Sequence, residues 1–171
     1  MNLYKKLSFS MQNNKLLKTT KAYYDSPDAD NFYHSIWGSE DIHIGIYDSL
    51  GDDIFTASQR TVQKMASMLP IDQNTKILDL GAGYGGAARY LASKFQCHVS
   101  CINLSETENK RNQQKNESLN LSKHIDILQG NFEETPFDDD LFDVVWSEEA
   151  LLHSGNKCQV FQEVARILKK G

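Results

Sequence analysis

The stretch "LDLGAGYGG", residues 78–86, decides the fold of this chain. The apolar run "KIL" leads into it, Asp79 lies within it, and glycines follow at 81, 83, 85 and 86. A strand that ends in such a turn and leads into a helix lets a ligand approach bare backbone, because a side chain at a turn position would collide with the ligand. The sequence therefore predicts a strand–turn–helix unit with a small-molecule site at the turn.

Strand and helix signals alternate around this unit. Short apolar runs predict strands at 76–80, 98–104, 125–128 and 142–147. The second run is apolar enough for a parallel strand buried on both faces. This order predicts a doubly wound α/β domain with a mostly parallel sheet.

Periodicity and capping residues predict the helices. Apolar positions recur from Phe55 to Leu69 in steps of three and four, with Ser58 as the weak position, which predicts an amphipathic helix over 53–69 that Pro70 ends. A second helix follows the glycine turn, and Ser105 with Glu108 forms a capping box that begins a third through about Leu119. The last helix starts at Asn156 and buries the stripe Val160, Val164 and Ile167.

Composition limits the classes of partner. With 171 residues, of which 40% are hydrophobic, the chain suits one globular domain with a core. The formal net charge is -5, and the first 24 residues contain five lysines and no acid, which leaves -10 for the remainder. An acidic body repels phosphate backbones, so neither nucleic acid nor an anionic membrane is expected as a partner.

Targeting and cysteine signals point to the cytoplasm. The sequence contains no run of 18 apolar residues, and its start lacks the apolar block of a secretory signal. Residues 1–20 are expected to form a flexible tail, with an organelle-targeting peptide as the alternative. Cys97, Cys101 and Cys158 match no zinc spacing, so no metal site is expected. Cys97 and Cys101 would lie on one face of a strand and are expected to be buried reduced thiols.

The turn favours one of two ligands, a dinucleotide or S-adenosylmethionine. A dinucleotide site places an Asp or Glu about 20 residues past the glycines to hold the ribose, but Asn103 stands there. Asp79 would repel a diphosphate and attract the α-ammonium of a methionine moiety, and the turn contains no Lys or Arg to offset two phosphates. S-adenosylmethionine is therefore favoured, and a nicotinamide-dependent oxidoreductase remains as an alternative.

The third strand end, "GNF", offers a place for the adenine. Asn131 could hydrogen-bond the adenine amino group, and Phe132 could cover the face of the ring. The alternative is a polar turn with a buried phenylalanine.

Residues 76–171 resemble the class I S-adenosylmethionine-dependent methyltransferases. "LDLGAGYGG" is similar to their first motif, "INLS" to their second-strand tip, and "FDVVWSEEALLH" to their fourth strand and the turn after it. In front of the sheet, "YYDSPDADNFYHSIWGSEDIHIGIYD", residues 23–48, resembles the lid of the glycine, sarcosine and dimethylglycine N-methyltransferases. The resemblance implies a Rossmann-like methyltransferase fold over 53–171 behind an N-terminal helical lid at 21–52.

The same resemblance implies a cofactor and a reaction. The cofactor is S-adenosylmethionine, and the substrate is a small amine, sarcosine or dimethylglycine, methylated to betaine. The alternatives are a phosphoethanolamine or other small-molecule methyltransferase, and a cofactor-binding fragment without turnover. Whether the chain forms a homo-oligomer is left open.

Candidate site residues follow from the motifs. Tyr33, Tyr24 and His153 are the expected catalytic residues, since a histidine matching His153 joins a tyrosine in the phosphoethanolamine enzymes that the chain resembles. Trp37 is expected in the lid; core packing is its alternative, and a structural role is the alternative for His153. The residues expected to bind the cofactor are Asp79, Gly81, Ala82, Gly83, Gly85, Asn103, Leu104, Asn131, Phe132, Ser147 and Glu148.

The chain also departs from the pattern of these enzymes. Their second-strand tip usually bears an acid, where Asn103 stands here. Their sheet has seven strands, and this sequence is expected to end after the helix that follows the fourth. A carboxylate substrate would bind an arginine, and none of the four arginines is expected at the strand tips. The lid acids Asp25, Asp28 and Asp30 are expected to cap helices and aid solubility.

Overall fold

A computed structural model describes residues 15–38 and 40–170. A parallel four-stranded sheet carries helices on both faces, behind two N-terminal helices. The strands are β1 Lys76–Leu80, β2 His98–Asn103, β3 Ile125–Gln129 and β4 Val144–Trp146. The helices are α1 (15–24), α2 Pro27–Ile36, α3 Ile54–Ala66, α4 Gly86–Phe95, α5 Glu106–Ser118 and α6 Lys157–Ile167, with a 3-10 turn at Leu151–His153.

The four strands lie in the order β3-β2-β1-β4, and every pair is parallel. Ile77 of β1 is in register with Val99 of β2 and with Val144 of β4. Along the chain, β2 and β3 are added on one side of β1, and β4 then pairs with the other side of β1. Ligands bind where the order of strands reverses, so the crevice between the carboxyl ends of β1 and β4 is the expected site. The predicted α/β class is confirmed.

Alternate side chains of the strands pack into two hydrophobic cores, one on each face of the sheet. Ile77 packs against α3 and α4 in a core with Val62 and Leu91. Leu78 and Leu80 point to the other face and pack with the α6 stripe of Val160 and Ile167. Both Cys97 and Cys101 are buried free thiols on the first side, although Cys97 precedes β2. Cys158 is exposed.

Two predicted element boundaries differ from the structure by more than one residue. Helix α3 ends at Ala66, three residues before Leu69, because the residue before Pro70 is disfavoured in helical conformation. Asp53 is its N-cap and accepts a hydrogen bond from the Thr56 amide at 2.7 Å. Its buried face is made of small residues and one valine, and Phe55 is exposed. Strand β4 begins at Val144, since Phe142 makes only an isolated bridge.

The lid segment, residues 21–52, is fastened across the carboxyl ends of the strands by its acids. Asp25 accepts hydrogen bonds from the Ser105 hydroxyl at 2.8 Å and the Thr107 amide at 3.2 Å, at the start of α5. Asp30 binds Arg111 and accepts a hydrogen bond from the Tyr84 hydroxyl. Asp25 thus helps to cap α5, as expected of these acids, and Asp25 and Asp30 also attach the lid segment to the domain.

Residues 15–20, expected in the tail, belong to α1, and residues 1–14 lie outside the described residues. Within the described ranges, every helix is too short or too polar to cross a bilayer.

Candidate functional site

Two cavities lie at the carboxyl ends of β1 and β4 and share the glycine turn as their floor. The main cavity has a volume of about 330 Å³, and a smaller one of about 30 Å³ lies beside it. Gly81 and Gly83 line both, and both have positive φ angles, which glycine adopts without strain. The crevice thus lies where the reversal of strand order places it.

The turn glycines are required first by packing within the protein. A Cβ on Gly81 would lie 2.3 Å from the Cβ of Ala150, and a Cβ on Gly85 would lie 2.2 Å from Oδ1 of Asn112. A Cβ on Gly83 would meet only ordinary contacts with Ile42. Close approach of a ligand, the reason expected for all these glycines, is therefore supported best at Gly83.

The smaller cavity forms the acidic end of the crevice, defined by Asp41, His43, Asp79 and Glu148. Nε2 of His43 lies 2.9 Å from Oε2 of Glu148 and 3.7 Å from Oδ1 of Asp41. The shorter approach is an ion pair without hydrogen-bond alignment, since neither atom has a hydrogen-bond partner among the described residues. Asp41 and Glu148 therefore lie against the imidazole, and Asp79 lines the same cavity of about 30 Å³.

Burial and charge shift the pKa values at the acidic end. Burial raises the pKa of Asp79 well above its usual range, and the charges of Glu148 and Asp41 raise it further. Burial alone would lower the pKa of His43, but Asp41 and Glu148 outweigh it and raise that pKa to about 10. His43 is thus a cation at neutral pH. The acidic end as a whole contains more carboxyl groups than cationic groups.

The aromatic end of the main cavity is defined by Tyr24, Tyr33, Trp37 and His153. The hydroxyl of Tyr24 lies 3.0 Å from Nε2 of His153, and the rings of Tyr24 and Tyr33 stack at 6.0 Å. Nε1 of Trp37 donates to the carbonyl of His43 at 3.2 Å, so this ring is held by the lid segment. Trp37 is half-buried and lines the cavity, outside both cores.

Both members of the Tyr24–His153 pair are neutral at pH 7. Burial lowers the pKa of His153. Burial, followed by the charge of Glu108, raises the pKa of Tyr24 to about 12. A neutral phenol and a neutral imidazole pair best with the hydroxyl as donor, which leaves the ring proton on Nδ1.

Glu108 is a site residue that the sequence argument missed. Its backbone N–H donates to Ser105 as the capping box predicts, but its carboxylate accepts a hydrogen bond from Nδ2 of Asn103 at 2.8 Å. The other oxygen, Oε1, is buried and has no hydrogen-bond partner among the described residues. Burial raises the pKa of Glu108 to about 7. An acid one helical turn after the Asn103 strand tip was the signal that could have found it.

The structure brings together most of the residues expected to bind the cofactor. Those that line the main cavity are Gly81, Gly83, Asn103, Leu104, Phe132 and Glu148. Asp79 and Ala82 line the smaller cavity with the acidic end.

Three expected cofactor residues line neither cavity, because each makes a local structural contact. Gly85 is the N-cap of α4. Oδ1 of Asn131 accepts a hydrogen bond from the Glu133 amide at 3.0 Å, and the Ser147 hydroxyl donates to the carbonyl of Leu80 at 2.9 Å.

The described lining of both cavities contains no lysine or arginine. Each of the four arginines forms an ion pair, with Asp52, Glu40, Asp30 or Glu163, and of these acids only Glu40 lines the smaller cavity. Over residues 15–38 and 40–170, no group of three His, Cys, Asp or Glu side chains is arranged to hold a metal ion. The crevice therefore suits a cationic ligand better than a diphosphate.

Comparison with known proteins identifies the family. The methyltransferase domain profile matches residues 78–171. The glycine/sarcosine/dimethylglycine N-methyltransferase of Actinopolyspora halophila is 54% identical over 88% of this chain and 27% of that protein. The sarcosine/dimethylglycine N-methyltransferase of Halorhodospira halochloris is 46% identical over 91% of this chain and 56% of that protein.

Solved structures agree with this result. A structure from Galdieria sulphuraria, assigned to sarcosine dimethylglycine methyltransferase, is 46% identical with a TM-score of 0.78, over 83% of this chain and 56% of that one. The [4+2]-cyclase SpnF reaches a TM-score of 0.84 at 22% identity, a likeness that shows the fold alone. The chain spans about half the length of most of these relatives, and about a quarter of the Actinopolyspora protein. On the strength of the profile and these identities, the chain belongs to the methyltransferase domain family.

Proposed function

We propose that this chain binds S-adenosylmethionine in the crevice and serves the N-methylation of a small amine, sarcosine or dimethylglycine. The observation that carries the proposal is the charge of the crevice: its described lining holds buried carboxylates and no lysine or arginine. A ligand with an α-ammonium and a sulfonium matches that charge, whereas the two phosphates of a nicotinamide dinucleotide would be repelled.

The residues present fit the parts of this cofactor. Asp79 and Glu148 would hold the α-ammonium at the acidic end, where buried carboxylates outnumber the cation His43. The unpartnered Oε1 of Glu108 would accept a hydrogen bond from a ribose hydroxyl, beside Asn103. A buried acceptor without a donor costs free energy, so a hydroxyl there would be favoured.

The adenine would lie between apolar side chains. Leu104 and Phe132 line the main cavity and would cover the two faces of the base. Asn131 would contact the adenine amino group only after releasing its hydrogen bond to the Glu133 amide.

When bound, S-adenosylmethionine supplies an electrophilic methyl group on a sulfonium. Tyr33 and Trp37 would stabilise the positive charge with their ring faces as it moves from sulfur to nitrogen. Closure of the lid segment would exclude water and hold the acceptor nitrogen at attack distance. His153 would take a proton from the amine through the Tyr24 hydroxyl, since the imidazole is neutral at pH 7.

The choice of acceptor comes from the relatives. The proteins that are 45–54% identical to this chain are named for glycine, sarcosine or dimethylglycine N-methylation. The described lining offers no arginine for the carboxylate of such an amino acid, so the aromatic end would select for the amine.

Parallel calorimetric titrations test cofactor binding. We expect S-adenosylhomocysteine to bind saturably with one site and NAD to give no heat of binding. Binding of NAD alone would overturn the proposal.

An acceptor screen by product mass tests the reaction. Sarcosine and dimethylglycine are compared with dimethylethanolamine and phosphoethanolamine in the presence of S-adenosylmethionine. Methylation of the two amino acids supports the proposed substrate class, and methylation of only the carboxylate-free amines contradicts it. Binding without any product supports a cofactor-binding role and contradicts turnover by this chain.

A further inference from the structure

The loop after β4 carries His153, and a buried acid outside both cavities holds that loop. Glu133 follows β3 and is only 2% exposed. Its Oε1 accepts hydrogen bonds from the Ser154 hydroxyl at 2.6 Å, the Gly155 amide at 3.1 Å and the Asn156 amide at 3.2 Å. One carboxylate oxygen thus gathers the three residues that directly follow His153.

This contact bears on the direction of the His153 ring. His153 ends a single 3-10 turn, and the amides of His153 and Ser154 donate to carbonyls within that turn. A three-residue turn is too short to be rigid by itself. Hydrogen bonds to a buried carboxylate are stronger than those between neutral groups, so Glu133 supplies the constraint that the turn lacks.

We propose that Glu133 is a positioning residue that aims the His153 imidazole at the Tyr24 hydroxyl. Its catalytic importance rests on the proposed function, but the positioning itself does not. The competing explanation is that Glu133 serves only to start α6, whose N-cap Asn156 already uses its side chain to accept from the Gln159 amide. If Glu133 served only to start α6, replacing Glu133 would leave the His153 ring unchanged.

The test is a pH titration of the His153 ring resonances by NMR, on the full chain without ligand. The resonances are assigned by their loss in His153→Gln. In Glu133→Ala we expect the His153 titration midpoint to rise towards 6.5, because the loosened loop exposes the ring to water. Glu133→Gln keeps an acceptor oxygen and is expected to restore most of the original midpoint.

The matched control is Glu134→Ala, which removes an exposed neighbouring acid and should leave the midpoint unchanged. An unchanged midpoint in a folded Glu133→Ala protein would overturn the proposal. So would equal shifts in the Ala and Gln variants, because an acceptor oxygen at position 133 would then make no difference to the His153 ring.

A second variant keeps the test decisive if Glu133→Ala fails to fold. Ser154→Ala removes only the 2.6 Å hydrogen bond and leaves the two amide contacts. We expect a smaller rise of the His153 midpoint, and no rise would contradict the proposal. Because these readouts need neither cofactor nor turnover, they fail independently of the titration with S-adenosylhomocysteine.

Discussion

The acidic end and the aromatic end of the crevice attract positive charge by different means. At the acidic end, Asp41, Asp79 and Glu148 surround His43 inside a cavity of about 30 Å³. At the aromatic end, the ring faces of Tyr33 and its neighbours line a cavity about ten times larger. Buried ionised groups interact strongly and respond to pH, whereas ring faces attract cations weakly and do not titrate in the neutral range. We therefore expect ligand affinity to depend mainly on the acidic end. We expect the aromatic end to distinguish charged from neutral ligands.

The largest effect on ligand binding is expected from Asp79→Asn. Affinity for S-adenosylhomocysteine should fall about a hundredfold, or ~2.7 kcal/mol, because the charge facing the α-ammonium is lost. Calorimetry measures this, with the exposed Asp126→Asn as the matched control. A loss of less than threefold would show that Asp79 does not face the ammonium.

The same variant should change how stability depends on pH. A carboxyl group whose pKa is raised in the folded state holds its proton more tightly than in the unfolded chain. Its stabilising contribution is therefore complete below its unfolded pKa and declines as pH rises above about 4. Urea unfolding of Asp79→Asn should lack this decline, so the variant gains stability relative to the parent at neutral pH.

The largest effect on stability is expected from His43→Gln. Removing one partner of a buried ion pair leaves uncompensated carboxylates, so the free energy of unfolding should fall by about 3 kcal/mol at pH 6. Because the folded pKa of His43 is raised to about 10, its contribution is present below 6.5 and is lost as pH rises through 10. Urea unfolding at pH 6 and pH 10.5 should show the difference shrinking.

The partly exposed pair of His98 and Asp126 provides the control for His43. His98→Gln should change the free energy of unfolding by less than about 1 kcal/mol at either pH, as expected for a surface ion pair. Equal losses of unfolding free energy in His43→Gln and His98→Gln would show that the buried pair is worth no more than the exposed pair.

At the aromatic end, Tyr33→Leu should separate the cationic from the neutral ligand. We expect affinity for S-adenosylmethionine to fall about threefold while affinity for S-adenosylhomocysteine stays the same, because only the sulfonium interacts with a ring face as a cation. Calorimetry with both ligands measures the ratio. The exposed Tyr47→Leu serves as the control, and parallel losses for both ligands would contradict a charge-selective role.

A modest effect on stability, smaller than that of His43→Gln, is expected from Tyr24→Phe. The ring and its stacking on Tyr33 remain, and only the hydroxyl contact with His153 is lost. The free energy of unfolding should fall by about 1 kcal/mol, as for one neutral hydrogen bond. Urea unfolding measures this change. A fall of more than about 3 kcal/mol would show that the Tyr24 hydroxyl stabilises the lid segment through more than its contact with His153.

Much of the fold could be predicted because its signals are local. The glycine turn at 78–86, the Ser105 and Asn156 caps and the Val160 stripe depend on neighbours within a few residues. The end of α3 was missed because periodicity continues to Leu69 while Pro70 constrains the backbone before it.

The site was only partly predictable. Asp79, Gly81 and Asn103 are readable from strand ends, since the carboxyl ends of parallel strands share one edge of the sheet. Asn131 and Ser147 stand at the predicted places, yet their side chains bind neighbouring backbone instead. Which of two hydrogen-bonding partners a side chain takes depends on distances that spacing along the sequence does not contain.

By itself, the sequence determined the order of the strands and helices, the place of the crevice and the family, because each depends on local patterning or on motifs. Only the tertiary structure decided that Tyr24 meets His153 across 129 residues, that His43 enters a cluster of acids, and that Glu108 turns its carboxylate to Asn103. The physical reason is that charge and hydrogen-bond energies act over a few ångströms and depend on burial. Distance and burial exist only once the chain has packed.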